Sequence, residues 1–248
     1  MRSIYSARNG IIAQQTRLDT IGNNLANINN EGFKKSRIDF EDCLYQTIRR
    51  VEQPQDDLNL RMGHGTKVGA TTRLFTQGKL LMTGNNTDIA IDGKGFFAIE
   101  NPNGVVQYTR SGTFAVDRDG FLVDGGDGSY VLDSNYDRIY VANTNFGCAT
   151  NGALTVNGEE TVSIGIFDCM NPQGLELVGA DRFAVSENSG AMNAANRFTL
   201  RQSYVEGSNV ELEKEITAMI RAQRALSLAG RALTTADNMD AQANQLRQ

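Results

Sequence analysis

The sequence predicts an α+β chain: long N- and C-terminal helices pairing as a coiled-coil-like stem around a central all-β body. Three observations carry that expectation. Apolar residues recur every seven positions near the N-terminus, a proline-free amphipathic run closes the chain, and the region between them alternates with period two among turn signals. The 248 residues include 25 Gly and 23 Asn but only 3 Pro and no Trp, a mixture suited to tight turns between short strands.

Residues 1–30 carry Ile4, Ile11, Leu18 and Leu25 seven apart, with Ala7, Gln14, Ile21 and Ile28 completing a 4-3 spacing. Such a stripe wants a partner helix, and packing on the chain's own core would satisfy it equally. Gly22, Asn23, Asn24 and Asn27 weaken the last turns, because both residue types are poor helix formers. Residues 31–68 read as an extended connecting segment, stiffened over about 45–68 by Pro54, Asp56, Asp57, Gly63 and Gly65. Residues 69–204 read as a β-rich outer domain. There, 90–99 gives two strands joined by a glycine turn, and Asn101-Pro102-Asn103-Gly104 turns the chain into a strand at 105–109. Strands at 113–116 and 121–123 flank Asp117-Arg118-Asp119-Gly120 as a hairpin, and 162–167 and 182–186 supply two more. Residues 205–248 form the second helix, with Asn209 as its expected N-cap and Glu211, Glu213 and Glu215 complementing the dipole. Its stripe runs through Leu212, Ile216, Met219, Ile220, Leu226, Leu233, Met239 and Leu246, and a helix over 210–248 would reach about 60 Å.

Composition and missing motifs exclude whole classes of function. A net charge of −5 leaves no basic footprint for nucleic acid. Arg2, Arg8, Arg17 and Asp19 interrupt any secretory h-region, and no stretch approaches the roughly 18 apolar residues of a membrane span, so these rules alone read the chain as cytoplasmic and soluble. Cys43, Cys148 and Cys169 lack any C-x-x-C spacing and read as small buried apolar residues, one disulfide among them remaining open. His64 is the only histidine and sits in a turn-like Gly63-His64-Gly65 context. Phosphate-loop, dinucleotide, zinc-protease and serine-hydrolase motifs are all missing from the sequence. Asp117-Arg118-Asp119-Gly120 lacks the flanking helices of a calcium loop, and Asp124, Asp127 and Asp133 are spaced as in solvated turns. Asp56-Asp57 and Glu159-Glu160 are merely adjacent in sequence. No catalytic residue, cofactor or metal is expected.

Three blocks then resemble a known family. Residues Leu18-Asp19-Thr20-Ile21-Gly22-Asn23-Asn24-Leu25-Ala26-Asn27-Ile28-Asn29, followed by Gly32-Phe33-Lys34, resemble the N-terminal signature of bacterial flagellar rod and hook proteins. Asp88-Ile89-Ala90-Ile91-Asp92-Gly93-Lys94-Gly95-Phe96-Phe97, then Tyr108-Thr109-Arg110-Ser111-Gly112, are similar to that family's central β motif. Val205-Glu206-Gly207-Ser208-Asn209-Val210-Glu211 and Ile220-Arg221-Ala222-Gln223-Arg224-Ala225 are similar to its C-terminal helix. Within the family, the long connection from 40 to 78 looks most like the distal rod subunit, with the proximal rod subunit second.

The resemblance implies a structural subunit rather than an enzyme. It would be exported by the flagellar type III apparatus without a cleaved signal, and would polymerise helically into a hollow drive shaft in the basal body. Its terminal helices would line the tube and its β domain would lie outside. Implied partners are further copies of the chain, neighbouring proximal rod and hook subunits, the export apparatus and ring or bushing proteins, with no nucleic acid and no membrane insertion. The assembly interface expected on this footing comprises Ile4, Ile11, Leu18, Ile21, Asn23, Asn24, Leu25, Asn27, Phe33, Asn209, Val210, Leu212, Ile216, Ile220, Gln223, Leu226 and Leu233. The rival from another class is a secreted β-rich binding module whose end helices clamp its own fold.

Overall fold

Proline-free runs of helix formers give α1 (Arg2–Ala26) and α2 (Leu212–Gln245). The computed structural model describes residues 2–43, 45–47, 61–63, 65–144, 146–156, 159–179, 181–195 and 197–245. His64, Pro54, Asp56, Asp57 and Leu246 lie outside the described residues, as does the side chain of Ile4. The chain divides into two compact units, the first comprising 1–25, 36–72 and 211–248 and the second 26–35 and 73–210. Composition had cut the chain elsewhere. Residues 26–30 and 205–210, expected in the stem, and 31–35, expected in the connecting segment, lie in the β unit.

In the first unit, β1 (Ser36–Asp42) pairs with β4 (Thr66–Arg73), and β2 (Tyr45–Thr47) pairs antiparallel with β3 (Arg61–Gly63). Among the described residues, the connection expected to be extended carries strands that pair in two ladders, which satisfies their backbone groups. The side-chain amide of Asn24 donates to the Ser36 carbonyl and accepts the Ser36 N–H, each at 2.9 Å, so it serves as a one-residue strand partner. Ala13, Ile21 and Asn24 form the buried face of α1, flanked by the half-buried heptad residues Ile11, Leu18 and Leu25. At 34 residues, α2 is about 50 Å long. It buries Ala222 and Glu215, seven apart, with Met219, Leu226 and Leu233 half-buried beside them.

Among the described residues, the second unit holds sixteen strands: β5 (Leu80–Met82), β6 (Ile89–Gly93), β7 (Phe96–Glu100), β8 (Val106–Thr109), β9 (Phe114–Val116), β10 (Leu122–Asp124), β11 (Tyr130–Val131), β12 (Phe146–Cys148), β13 (Ala153–Val156), β14 (Glu159–Ser163), β15 (Ile166–Asp168), β16 (Glu176–Leu177), β17 (Arg182–Ala184), β18 (Asn193–Ala194), β19 (Phe198–Gln202) and β20 (Tyr204–Glu206). The largest sheet runs β16-β17-β8-β7-β11-β10-β9, with β15 also on β7 and β18 on β15. Smaller sheets are β12-β13-β14, β19-β6 and β20-β5. All the described registers are antiparallel. The Asp117–Gly120 turn closes the β9–β10 hairpin, with Leu122 opposite Val116.

Strand β7 organises the core. Phe97 and Ile99 join a cluster with Ile89, Ile91, Phe114, Leu122 and Leu154. Phe96 and Ala98 point to a second cluster with Tyr108, Leu132, Phe167 and Phe183. The alternation expected here fails because β7 is covered on both faces, and such a strand reads as a continuous apolar run. The two strands around the 93–95 glycine turn do not pair with each other: β6 takes β19 and β7 takes β8. The single strand expected at 162–167 divides into β14 and β15, because Ile164 bridges Asp133 and the Gly165 N–H turns to the Leu132 carbonyl.

Candidate functional site

The three sequence blocks converge at one buried carboxylate. Glu206 ends β20, paired with Leu80 of β5, and is 0 % exposed. Its Oε1 accepts the Lys34 ammonium at 2.5 Å and the Gly78 N–H at 2.8 Å, while Oε2 accepts Arg110 Nη1 at 3.2 Å. Its backbone carbonyl accepts the Gly32 N–H at 2.7 Å. Lys34 and Arg110 are 1 % and 4 % exposed, so one buried anion serves two buried cations. Lys34 also donates to the Thr76 carbonyl at 2.9 Å, and Arg110 donates to the Gly93 carbonyl at 2.6 Å with its guanidinium over the Phe96 ring. Burial pulls the Lys34 ammonium below the usual lysine range, with the Glu206 charge opposing that shift. Burial likewise lowers Arg110.

Asn209 adds a second clasp. Its Oδ1 accepts the Lys35 N–H at 2.7 Å, and its Nδ2 donates to the Leu74 carbonyl at 2.7 Å and to Thr76 at 3.0 and 3.1 Å. Asn209 is therefore not the N-cap of α2. That helix begins at Leu212, and its first turn closes with the Glu215 N–H on the Glu211 carbonyl. The side chain is taken by backbone groups of the 35 and 74–76 segments. Gly32 has φ +69°, and a Cβ there would stand 2.5 Å from the Ser111 nitrogen. Only glycine lets the turn after α1 lie this close on the 110–112 backbone.

Of the expected interface residues, Phe33, Asn209 and Val210 meet in this junction, the Asn209 N–H donating to the Phe33 carbonyl at 3.4 Å. Ile21 and Asn24 are buried within the first unit, Ile11, Leu18, Leu25, Asn27, Leu226 and Leu233 are half-buried, and Asn23, Leu212, Ile216, Ile220 and Gln223 are exposed. Lys34, Arg110 and Glu206 were not among the expected site residues. The available signal was opposite charge set inside glycine- and apolar-rich motifs, where a solvated charge has no reason to be.

A cleft of about 430 Å3 in the β unit is lined by Asn29, Asn30, Glu31, Phe33, Ser111, Thr113, Asp124, Gly125, Gly126, Asp181 and Arg182. Arg182 reaches Asp124 and Asp127 through its Nη2, both at 2.5 Å, and its Nη1 also meets Asp127. Those hydrogen bonds hold Asp127 far below the ordinary carboxylate range. At Asp124 burial outweighs the Arg182 charge and raises the carboxyl. Burial also raises Asp181 and, with help from Asp88, Glu31, which accepts a hydrogen bond from the Thr113 hydroxyl.

A pH dependence follows. A carboxyl raised on folding stabilises the fold below its unfolded value and loses that contribution as pH rises through the folded one. Glu31→Gln removes the ionised form, so the variant's Tm relative to the parent should be highest near pH 8 and fall as pH approaches 4. Glu31 is partly solvated, so the swing should be about 1–3 °C, corresponding to less than about 1 kcal/mol. Thermal melts across that range test it, and a gap that does not vary with pH would contradict it. Asp133 caps the Asn135 and Asp137 N–H groups as a turn residue, and no group of three or more His, Cys, Asp or Glu suited to a metal ion occurs among the described residues. The three cysteines are free: Cys169 is buried, while Cys43 and Cys148 are only half-buried, and burial pushes the Cys148 thiol up to about 12.

Comparison with known proteins places these segments. Residues 4–34 match a profile described as flagella basal body rod protein, 90–166 one described as flagellar hook protein FlgE/F/G D1 domain, and 201–246 one described as flagellar basal body rod FlgEFG protein C-terminal. The chain is similar to the flagellar basal-body rod protein FlgG of Borreliella burgdorferi, at 37% identity over 100% of this chain and 99% of that protein. It is also similar to FlgG of Bacillus subtilis, at 35% identity over 96% of each. The flagellar hook protein FlgE of Treponema pallidum is 38% identical over 53% of this chain and 29% of its own length.

Proposed function

This chain belongs to the flagellar hook and basal-body rod protein family, and from that membership we propose that it is the distal rod subunit, a structural rather than catalytic protein. Copies polymerise helically into the hollow shaft that carries torque from motor to hook and through which later subunits pass. In that assembly α1 and α2 form a coiled-coil-like stem and the β unit lies outside. The chain needs no cofactor, reaches the basal body through the type III apparatus, and neighbours proximal rod, hook and ring or bushing proteins. No helix among the described residues is long and apolar enough to cross a membrane.

The observation that carries this reading is a second apolar row on α2. Leu212, Ile216 and Ile220, four apart and continued by Gln223, stay exposed while Glu215 and Ala222 bury a different face of the same helix. On α1, Tyr5 and Ile12 are likewise exposed. A helix with one face used inside its chain and another apolar row left in water presents that row to a partner. A homopolymer supplies one.

Sedimentation velocity over a concentration series tests the proposal, comparing the full chain with one lacking 1–25 and 211–248. The full chain should grow into large assemblies with rising helicity, and the truncated one should not. If both remain monomeric at every concentration, the secreted binding module displaces the rod reading.

A further inference from the structure

We infer that Glu206 makes the docking of residues 26–35 on the β unit conditional on residues 205–210, so that the exit from α1 is ordered only once the approach to α2 is in place. The inference deepens the rod reading and rests on it for its role in assembly. Each charge of the cluster comes from a different stretch of the chain: Lys34 closes the 4–34 segment, Arg110 lies in 90–166 and Glu206 in 201–246. The chain passes between its two units at four places, after 25, 35, 72 and 210. The segments that adjoin those passages inside the β unit are the ones these groups tie down.

The two cations are not equivalent. Arg110 has its own attachment to the β unit, through the Gly93 carbonyl and the Phe96 ring. Among the described residues, Lys34 donates only to the Thr76 carbonyl besides Glu206. With 205–210 absent, docking 26–35 would bury an ammonium with no anion, which is far costlier than leaving the segment in water. With 205–210 in place, the same ammonium is paired, the Gly32 N–H finds the Glu206 carbonyl and the Lys35 N–H finds Asn209. The carboxylate thus sets an order: 205–210 can dock on Arg110 and the Gly78 N–H, whereas 26–35 docks only where Glu206 is already in place. For a subunit that must thread through a narrow channel, this prevents the α1 end from setting before the α2 end.

Hydrogen exchange read by mass spectrometry on the full-length monomer tests this. In Glu206→Gln, amides of 26–35 should exchange at least ten-fold faster, together with 73–79 and 205–210, while those of β7 to β10 keep the parent rate. The double variant Lys34→Gln/Glu206→Gln removes the stranded ammonium with its anion and should restore most of the protection of 26–35. A merely local role for Glu206 predicts faster exchange at 205–210 and 76–79 alone, with no rescue by the double variant, and either of those results overturns the inference. If Glu206→Gln does not fold, Glu206→Asp, which keeps the charge but withdraws it by one methylene, carries the same test. The rod reading fails separately, if the parent chain does not assemble in sedimentation.

Discussion

Ile216→Asp together with Ile220→Asp is expected to abolish self-assembly while leaving the monomer's Tm within about 2 °C of the parent. The two side chains are 42% and 46% exposed in the chain, so removing them takes away little internal packing. In a polymer the same positions become an apolar seam. Each new carboxylate would then have to be buried without a partner or hold the seam open, at a cost of at least about 2 kcal/mol. Two per contact, repeated along a helical array, weaken each contact by at least about a thousand-fold. Electron microscopy and sedimentation read the assembly, and thermal melts read the monomer. Assemblies forming at the parent's concentration would remove this row from the interface. A large fall in Tm would show that the row packs within its own chain. Leu18 is a poorer probe, being half-buried in the first unit, where a charge would disturb folding and assembly together.

That distinction marks how far the sequence could be read. The seven-residue apolar repeat and the proline-free amphipathic run announced the two helices, and the turn residues announced the β9–β10 hairpin, because these depend on neighbours in the chain. Periodicity could not separate the face of α2 that carries Ala222 from the row that carries Ile216, since alanine is silent in an apolar stripe and leucine is not. Asn209 had the identity and position of a helix cap, yet it was claimed by backbone groups of residues 35, 74 and 76, more than 130 positions away. Lys34, Arg110 and Glu206 look like ordinary surface charges until three distant segments bring them together. The family blocks marked where to look, and only the folded backbone showed that these blocks touch.

Gly112→Ala is expected to destabilise the β unit by about 3 kcal/mol, a loss that would lower its midpoint in urea by roughly 1–2 M. Gly112 follows Arg110-Ser111, and its carbonyl accepts the Ile89 N–H at 2.9 Å. A Cβ built on it would stand 1.8 Å from the Ile89 oxygen, which belongs to backbone rather than to a yielding side chain. Ile89 is 0 % exposed and sits in the core with Ile91 and Phe97, so β6 cannot retreat without opening that cluster. Gly84→Ala is the matched control. Gly84 carries a positive φ, +81°, which Gly112 does not, and nothing lies within 4 Å of its Cβ, so at Gly84 only the conformational cost of about 1 kcal/mol applies. Urea unfolding of both variants therefore separates crowding from backbone strain. Equal losses would mean that the chain around residue 112 relaxes freely, and the junction would then tolerate side chains. A distinctly larger loss in Gly112→Ala would instead show that the Arg110 segment is fixed by contact with β6, which makes it the rigid member against which the 26–35 and 205–210 segments close.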